Sequence, residues 1–177
     1  MSAVLEHAVR TGRIRSNPAR GLVLPRPHRR DHVFLTHAEL AALAAAASTF
    51  RLLVLVLGYT GLRWGEATAL RVCDIDLNRR RIDARRAFSD VGGQLILGTP
   101  KSHRMRSVPI PRFLAVLLAA FVNGRQPDDL VFTTGSGAPL RLSNWRLRVF
   151  WPARKLAGIS MRFRIHDLRH TAAALMI

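Results

Sequence analysis

Four short stretches of this 177-residue chain gather cationic side chains beside residues that fix backbone geometry. In Thr60-Gly61-Leu62-Arg63-Trp64-Gly65-Glu66, Arg63 follows an apolar helical run and a glycine. It is a guanidinium on a rigid element, aimed by a tight turn, and Glu66 three residues on can hold it through a carboxylate–guanidinium pair. Thr99-Pro100-Lys101-Ser102 puts Lys101 at an expected hairpin tip, where a long side chain can reach a neighbouring groove. The run from Arg104 to Pro111 follows, carrying Arg104 and Arg106. In His166-Asp167-Leu168-Arg169-His170-Thr171, His166 and Arg169 stand three apart at a helix N-terminus and face the same way. The unpaired N–H groups of that terminus also favour an anion. Two arginines, a histidine and a lysine converging on one point describe a site for a phosphoryl group that gains negative charge. Convergence requires the Arg63 and Arg169 guanidinium groups to lie within about 10 Å, close enough to share one phosphate.

The elements expected to position these groups follow from periodicity and punctuation. Residues 3–14 can be helical, and Asn17 to Arg30, with Pro18, Gly21, Pro25 and Pro27, reads as a linker. Thr36 starts a helix to about Ala47: Glu39 completes a capping box, with Leu35 and Leu40 at the hydrophobic-staple positions. Phe50 to Tyr59 is apolar nearly all round and must be buried. Gly61 breaks that helix, and Trp64 to Leu70 forms a short third one. Three extended runs, Arg81 to Phe88, Gln94 to Leu97 and Arg104 to Ile110, predict a small antiparallel three-stranded sheet. Pro111 opens a helix through Val122 with Gly124 as its cap. After a short strand, Leu130 to Thr133, Ser143 caps a helix through Leu156 that bends at Pro152. Asp167 caps a last helix that runs to the chain end without a stop signal. The expected fold is α+β: residues 31–177 form a mostly helical domain around the small sheet, and residues 1–30 a trailing helix and linker from another domain.

Composition narrows the function classes. The 28 Lys plus Arg outnumber 11 Asp plus Glu, a net charge of +17. Lys101 and Lys155 are the only lysines, so 26 of those 28 are arginine, whose planar fork of donors matches phosphate oxygens. A sequence pI of about 11.9 is the electrostatic footprint of a nucleic-acid binder. The codon bias of a GC-rich genome explains Arg over Lys, but not so large a shortage of acids. The longest apolar runs fall short of the roughly 20 residues of a membrane span. The N-terminus, with Glu6, His7 and Arg10, has no signal-peptide character. One cysteine, Cys73, excludes an internal disulfide and a Cys-rich metal site. A basic cytoplasmic domain with no membrane partner is the expectation.

At these motifs, from about Leu35 to Ile177, the chain resembles the tyrosine recombinases, or phage integrases. In that family the first arginine lies in a Gly-Leu-Arg-x-Gly-Glu turn, matched by Gly61 to Glu66, a β-hairpin lysine is matched by Lys101, and a His-x-x-Arg pair by His166 and Arg169. Asn17-Pro18 resembles the join between the family's DNA-clamping and catalytic domains. The resemblance implies an integrase-like, DNA breaking-rejoining fold and strand cleavage without metal or other cofactor. A tyrosine attacks the scissile phosphate and becomes joined to the 3′ end. Arg63, Arg169 and His166 would stabilise the charged transition state, Lys101 would protonate the leaving 5′ oxygen, and Glu66 would support Arg63. Arg104, Arg106, Arg146 and Arg148 are expected to contact DNA phosphates, with double-stranded DNA and other recombinase subunits as partners.

The chain departs from the family pattern beyond His-x-x-Arg, where the family carries a further histidine or tryptophan motif. The family's nucleophilic tyrosine lies downstream of His-x-x-Arg, whereas the single tyrosine here, Tyr59, precedes Arg63 on the buried helix and is expected to be structural. The sequence thus reads as an integrase fragment with no nucleophile, inactive alone. Its alternatives are a non-catalytic DNA-binding prophage remnant and an unrelated basic RNA-binding protein. Zinc at His166 and His170 lacks further ligands, and no metal is expected.

Overall fold

Thr36 starts its helix as the motif dictates. Its hydroxyl accepts from the Glu39 N–H at 3.2 Å, and the Glu39 carboxylate accepts from the Thr36 N–H at 2.8 Å. The helix so started, α2 (His37–Ala46), packs its Leu40, Leu43 and Ala44 inward. Leu35, just ahead of the cap, is buried with Leu40 as a staple requires. A single 3₁₀ turn, Ser48–Phe50, leads into α3 (Arg51–Thr60), which is buried from Leu52 to Gly58. This helix is the axle of the fold and packs against α2, α4 (Trp64–Thr68), α5 (Arg112–Val122) and α8 (Asp167–Leu175). Tyr59 sits on α3 with its hydroxyl 2.8 Å from His37 Nδ1 and its ring edge-on to Phe113. Burial pushes its phenol up from the ordinary value.

The described residues are 2–22, 33–99 and 105–176 of this computed structural model. Lys101, Arg104 and the latter part of the expected linker lie outside them. The chain divides into two compact units, Met1–Asp31 and His32–Ile177. In the first, α1 (Ser2–Arg10) is followed by a turn in which Asn17 Nδ2 donates to Glu6 at 3.1 Å and Asn17 Oδ1 accepts from the Ala19 N–H.

The second unit holds the expected antiparallel sheet, divided differently. Its three strands are β1 (Ile75–Asp76), β2 (Arg81–Ala84) and β5 (Arg106–Pro109), in the order β1-β2-β5. In the register Ile82 faces Val108 and Ala84 faces Arg106. β3 (Ala87–Val91) and β4 (Gln94–Gly98) form a separate hairpin. Arg81 to Phe88 is therefore two strands rather than one. The break falls at Arg85-Arg86, whose guanidiniums turn back onto the buried Asp74 carboxylate, Arg86 at 2.7 Å. A buried carboxylate needs such partners, and meeting them takes the chain out of the sheet. Leu130 to Thr133 likewise forms no strand, only isolated bridges to Arg71 and Pro139.

The helix expected from Ser143 to Leu156 is observed from Leu142 to Leu156 in three parts: α6 (Leu142–Trp145), a π-helical turn (Arg146–Phe150) and α7 (Trp151–Leu156). Pro152 has no N–H to give the ladder. Immediately before it the Trp151 N–H reaches back to the Arg146 carbonyl, so the helix widens there by one π-helical turn. Asp167 does not cap α8. It caps the preceding turn, accepting from the Arg164 N–H at 2.7 Å, and His166 stands at the N-cap position.

Candidate functional site

Gly61 ends α3 in the left-handed conformation, at φ +61°, which glycine adopts without penalty. A Cβ there would lie 3.4 Å from Ala172 Cβ and 3.7 Å from Arg169 Cγ, so the turn sits directly against α8. Thr60 shapes it further: its hydroxyl donates to the Val56 carbonyl at 2.6 Å and accepts from the Leu62 N–H at 3.2 Å. Arg63 then stands at the N-cap of α4, on a turn held from both sides.

Glu66 is the hub of this turn. Its side chain is only 1% exposed, yet both oxygens are used. Oε1 accepts from the Arg63 guanidinium at 2.9 Å, and Oε2 accepts from the Arg63 backbone N–H at 2.8 Å and from Arg106 at 2.6 Å. Burial pushes the Glu66 carboxyl up, but the Arg63 N–H and the two guanidiniums reverse this and hold it below its ordinary value. Arg106 also donates to the Gly61 carbonyl at 3.2 Å. Arg169, from α8, donates to that same carbonyl. Burial pushes Arg169 down, and repulsion from Arg106 and Arg63 adds to this, with Glu66 opposing. The charged form of Arg169 is thus destabilised, and an anion placed beside it would restore the balance.

Arg63, His166 and Arg169 line one cavity of about 920 Å³. Much of its lining is apolar and aromatic, with Leu62, Trp64, Phe150 and Phe163, and Trp145, outside the lining, lies 4.8 Å from Trp64 and stacks on Phe150. Further cations stand around it, among them Arg146 and Lys155, and no carboxylate is among the described residues that line it. Arg154, buried in the cavity wall, donates to the Met161 and Phe163 carbonyls at 2.8 Å each, pinning the loop that leads to His166. The His166 and His170 rings meet edge-on at 5.4 Å. Among the described residues no group of three His, Cys, Asp or Glu is placed to hold a metal.

The structure therefore brings together Arg63, Glu66, His166 and Arg169, while Lys101 and Arg104 lie outside the described residues. Arg106, grouped by the sequence with the phosphate-contacting arginines, is turned inward onto Glu66 and Gly61. Arg146 is exposed at the cavity, its guanidinium 5.5 Å from the Trp151 ring centre. Arg148 is exposed and outside the cavity lining. Sequence reasoning missed the inward role of Arg106 and the loop-pinning role of Arg154. A signal existed for the first: Arg106 and Val108 share one face of a strand, and Val108 is buried. None existed for the second.

Residues 33–177 match the phage integrase family. The integrase of Mycobacterium phage FRAT1 is 30% identical over 99% of this chain and 54% of its own length. That of Mycobacterium phage L5 is 31% identical over 98% of this chain and 48% of its own. The chain spans about half the length of the curated relatives it matches. Among solved structures, the Tn1549 transposon integrase in complex with transposon right end DNA superposes with a TM-score of 0.80 at 19% identity, covering 99% of this chain and 63% of that one.

Proposed function

The chain belongs to the phage integrase family, and from that premise we propose that it grips one phosphate of duplex DNA as part of a site-specific strand cleavage and rejoining machinery. The observation that carries this reading is the cavity shared by Arg63, His166 and Arg169, cationic on its rim and without a carboxylate among its described lining residues. Glu66, beside Arg63, is already spent on Arg63 and Arg106, and Asp167 accepts from the Arg164 N–H. The pocket is therefore short of negative charge, and a phosphodiester supplies it.

The roles follow from position. The Arg63 and Arg169 guanidiniums take the non-bridging oxygens, where charge grows as the phosphorus becomes five-coordinate, and fixed donors there stabilise the transition state without reorganisation. His166, exposed at the N-cap of α8, adds a donor from the same helix end. Lys101 is the proposed proton donor to the leaving 5′ oxygen. The nucleophile is not among these residues. Tyr59 is committed to His37 and Phe113, and its raised phenol pKa disfavours the phenolate an attack requires. No tyrosine follows Arg169 in the 177 residues. As proposed partners, duplex DNA engages the remaining exposed arginines, including Arg146 and Arg148, and further recombinase subunits complete the assembly. The proposed compartment is the cytoplasm, and no helix among the described residues is long and apolar enough to cross a membrane.

Fluorescence titration with a short duplex at several salt concentrations tests this reading. Affinity is expected to fall with a log–log slope of several units, about 0.9 for each phosphate neutralised. Binding that barely changes between low and physiological salt would overturn it.

A further inference from the structure

Arg106 is an arginine on the sheet, and its charge alone would suggest a contact to the DNA backbone. Its surroundings say otherwise. The guanidinium reaches two acceptors, Glu66 Oε2 at 2.6 Å and the Gly61 carbonyl at 3.2 Å, and each is shared with one of the two site arginines. Arg63 uses the Glu66 carboxylate, and Arg169 uses the Gly61 carbonyl. Its Nε is buried and has no hydrogen-bond partner, a cost that a solvent-facing phosphate contact would not incur. In the register its partner is the buried Ala84, which places Arg106 on the inner face of the sheet.

We propose that Arg106 is a positioning residue, whose guanidinium, wedged between Glu66 and the Gly61 carbonyl, fixes the Arg63 and Arg169 guanidiniums relative to one another and to strand β5. The proposal rests on the reading of Arg63 and Arg169 as a phosphate grip. A planar fork is required for this task. A lysine would keep the charge but, as a point donor on a flexible stem, would not hold both acceptors in one geometry.

The test compares Arg106→Lys and Arg106→Met in the full 177-residue chain. The Arg63 and Arg169 Nε–H signals are followed by ¹⁵N NMR, the Glu66 carboxyl by ¹³C NMR across acid pH, and binding to a 25-base-pair duplex across salt. Both variants are expected to shift both arginine signals and to make Glu66 titrate at higher pH than in the wild type. Arg106→Lys is expected to leave the salt slope unchanged. Wild-type arginine signals and Glu66 titration in Arg106→Lys would overturn the proposal, because charge alone would then suffice. Unmoved arginine signals in Arg106→Met, with a slope reduced by about 0.9, would also overturn it by making Arg106 a phosphate contact. Should Arg106→Met fail to fold, the charge-conserving lysine variant decides alone. The NMR readouts need no DNA, so failure of the phosphate reading itself, seen as a flat salt dependence, stays separate from failure of this proposal.

Discussion

Glu66→Gln removes one negative charge from a place where two guanidiniums and a backbone N–H converge. The replacement amide keeps the shape but offers one accepting oxygen, and its NH₂ must face a donor. Breaking a buried ion pair by removing one partner costs about 3–5 kcal/mol. Here the carboxylate is 1% exposed, but the Arg63 and Arg106 side chains are 40% and 27% exposed and can regain water. The low end applies, about 3 kcal/mol. For a chain of this size that lowers Tm by about 6–12 °C, at roughly 2–4 °C per kcal/mol. The pH dependence has a definite sign. The Glu66 carboxyl is held below its ordinary value in the folded state, so its contribution is complete above the unfolded carboxylate value of about 4.3 and is lost as pH falls through the folded value. Thermal melts of wild type and Glu66→Gln should differ fully at pH 7 and converge only in that acid range. A difference under about 1 kcal/mol at pH 7, or a full gap that persists at the acid end, would refute the hub role of Glu66.

Two further outcomes follow from the same geometry. A Cβ at residue 65 would lie 2.2 Å from the Phe88 carbonyl oxygen, so Gly65→Ala must displace the β3–β4 hairpin from α4. The expected cost is about 1–3 kcal/mol in thermal melts, with amide shift changes centred on Phe88, and unchanged stability and shifts would refute the contact. On a nicked suicide duplex the 177-residue chain is expected to form no covalent protein–DNA adduct, because Tyr59 is its single tyrosine and is held by His37. An adduct band on a denaturing gel would refute that.

Much of the site was legible because its residues are spaced by local rules. The capping box at Thr36, the Arg63–Glu66 pair three residues apart and the His166–Arg169 spacing each depend on one helical turn. The structure reproduces all three as contacts or a shared cavity wall. What was not legible depends on partners distant in the chain. Arg81 to Phe88 reads as one strand until Asp74 draws Arg85 and Arg86 away from the sheet. Nothing in the sequence marks Arg154 as buried, because the carbonyls it holds, of Met161 and Phe163, belong to an irregular loop with no periodic signal. Pro152 announced a disturbance in its helix, but the π-helical turn just ahead of it has no signal in the residue spacing.

The central claim is that Arg63, His166 and Arg169 form one oxyanion site, and a crystal of the 177-residue chain soaked in orthovanadate addresses it most directly. Vanadate adopts the five-coordinate geometry of a phosphoryl group under attack and needs no knowledge of the DNA sequence. The anion is expected between Arg63 and Arg169, about 3 Å from both guanidiniums and within reach of His166. Vanadate bound elsewhere, at the Arg79-Arg80-Arg81 run for instance, with that cavity left empty, would contradict it.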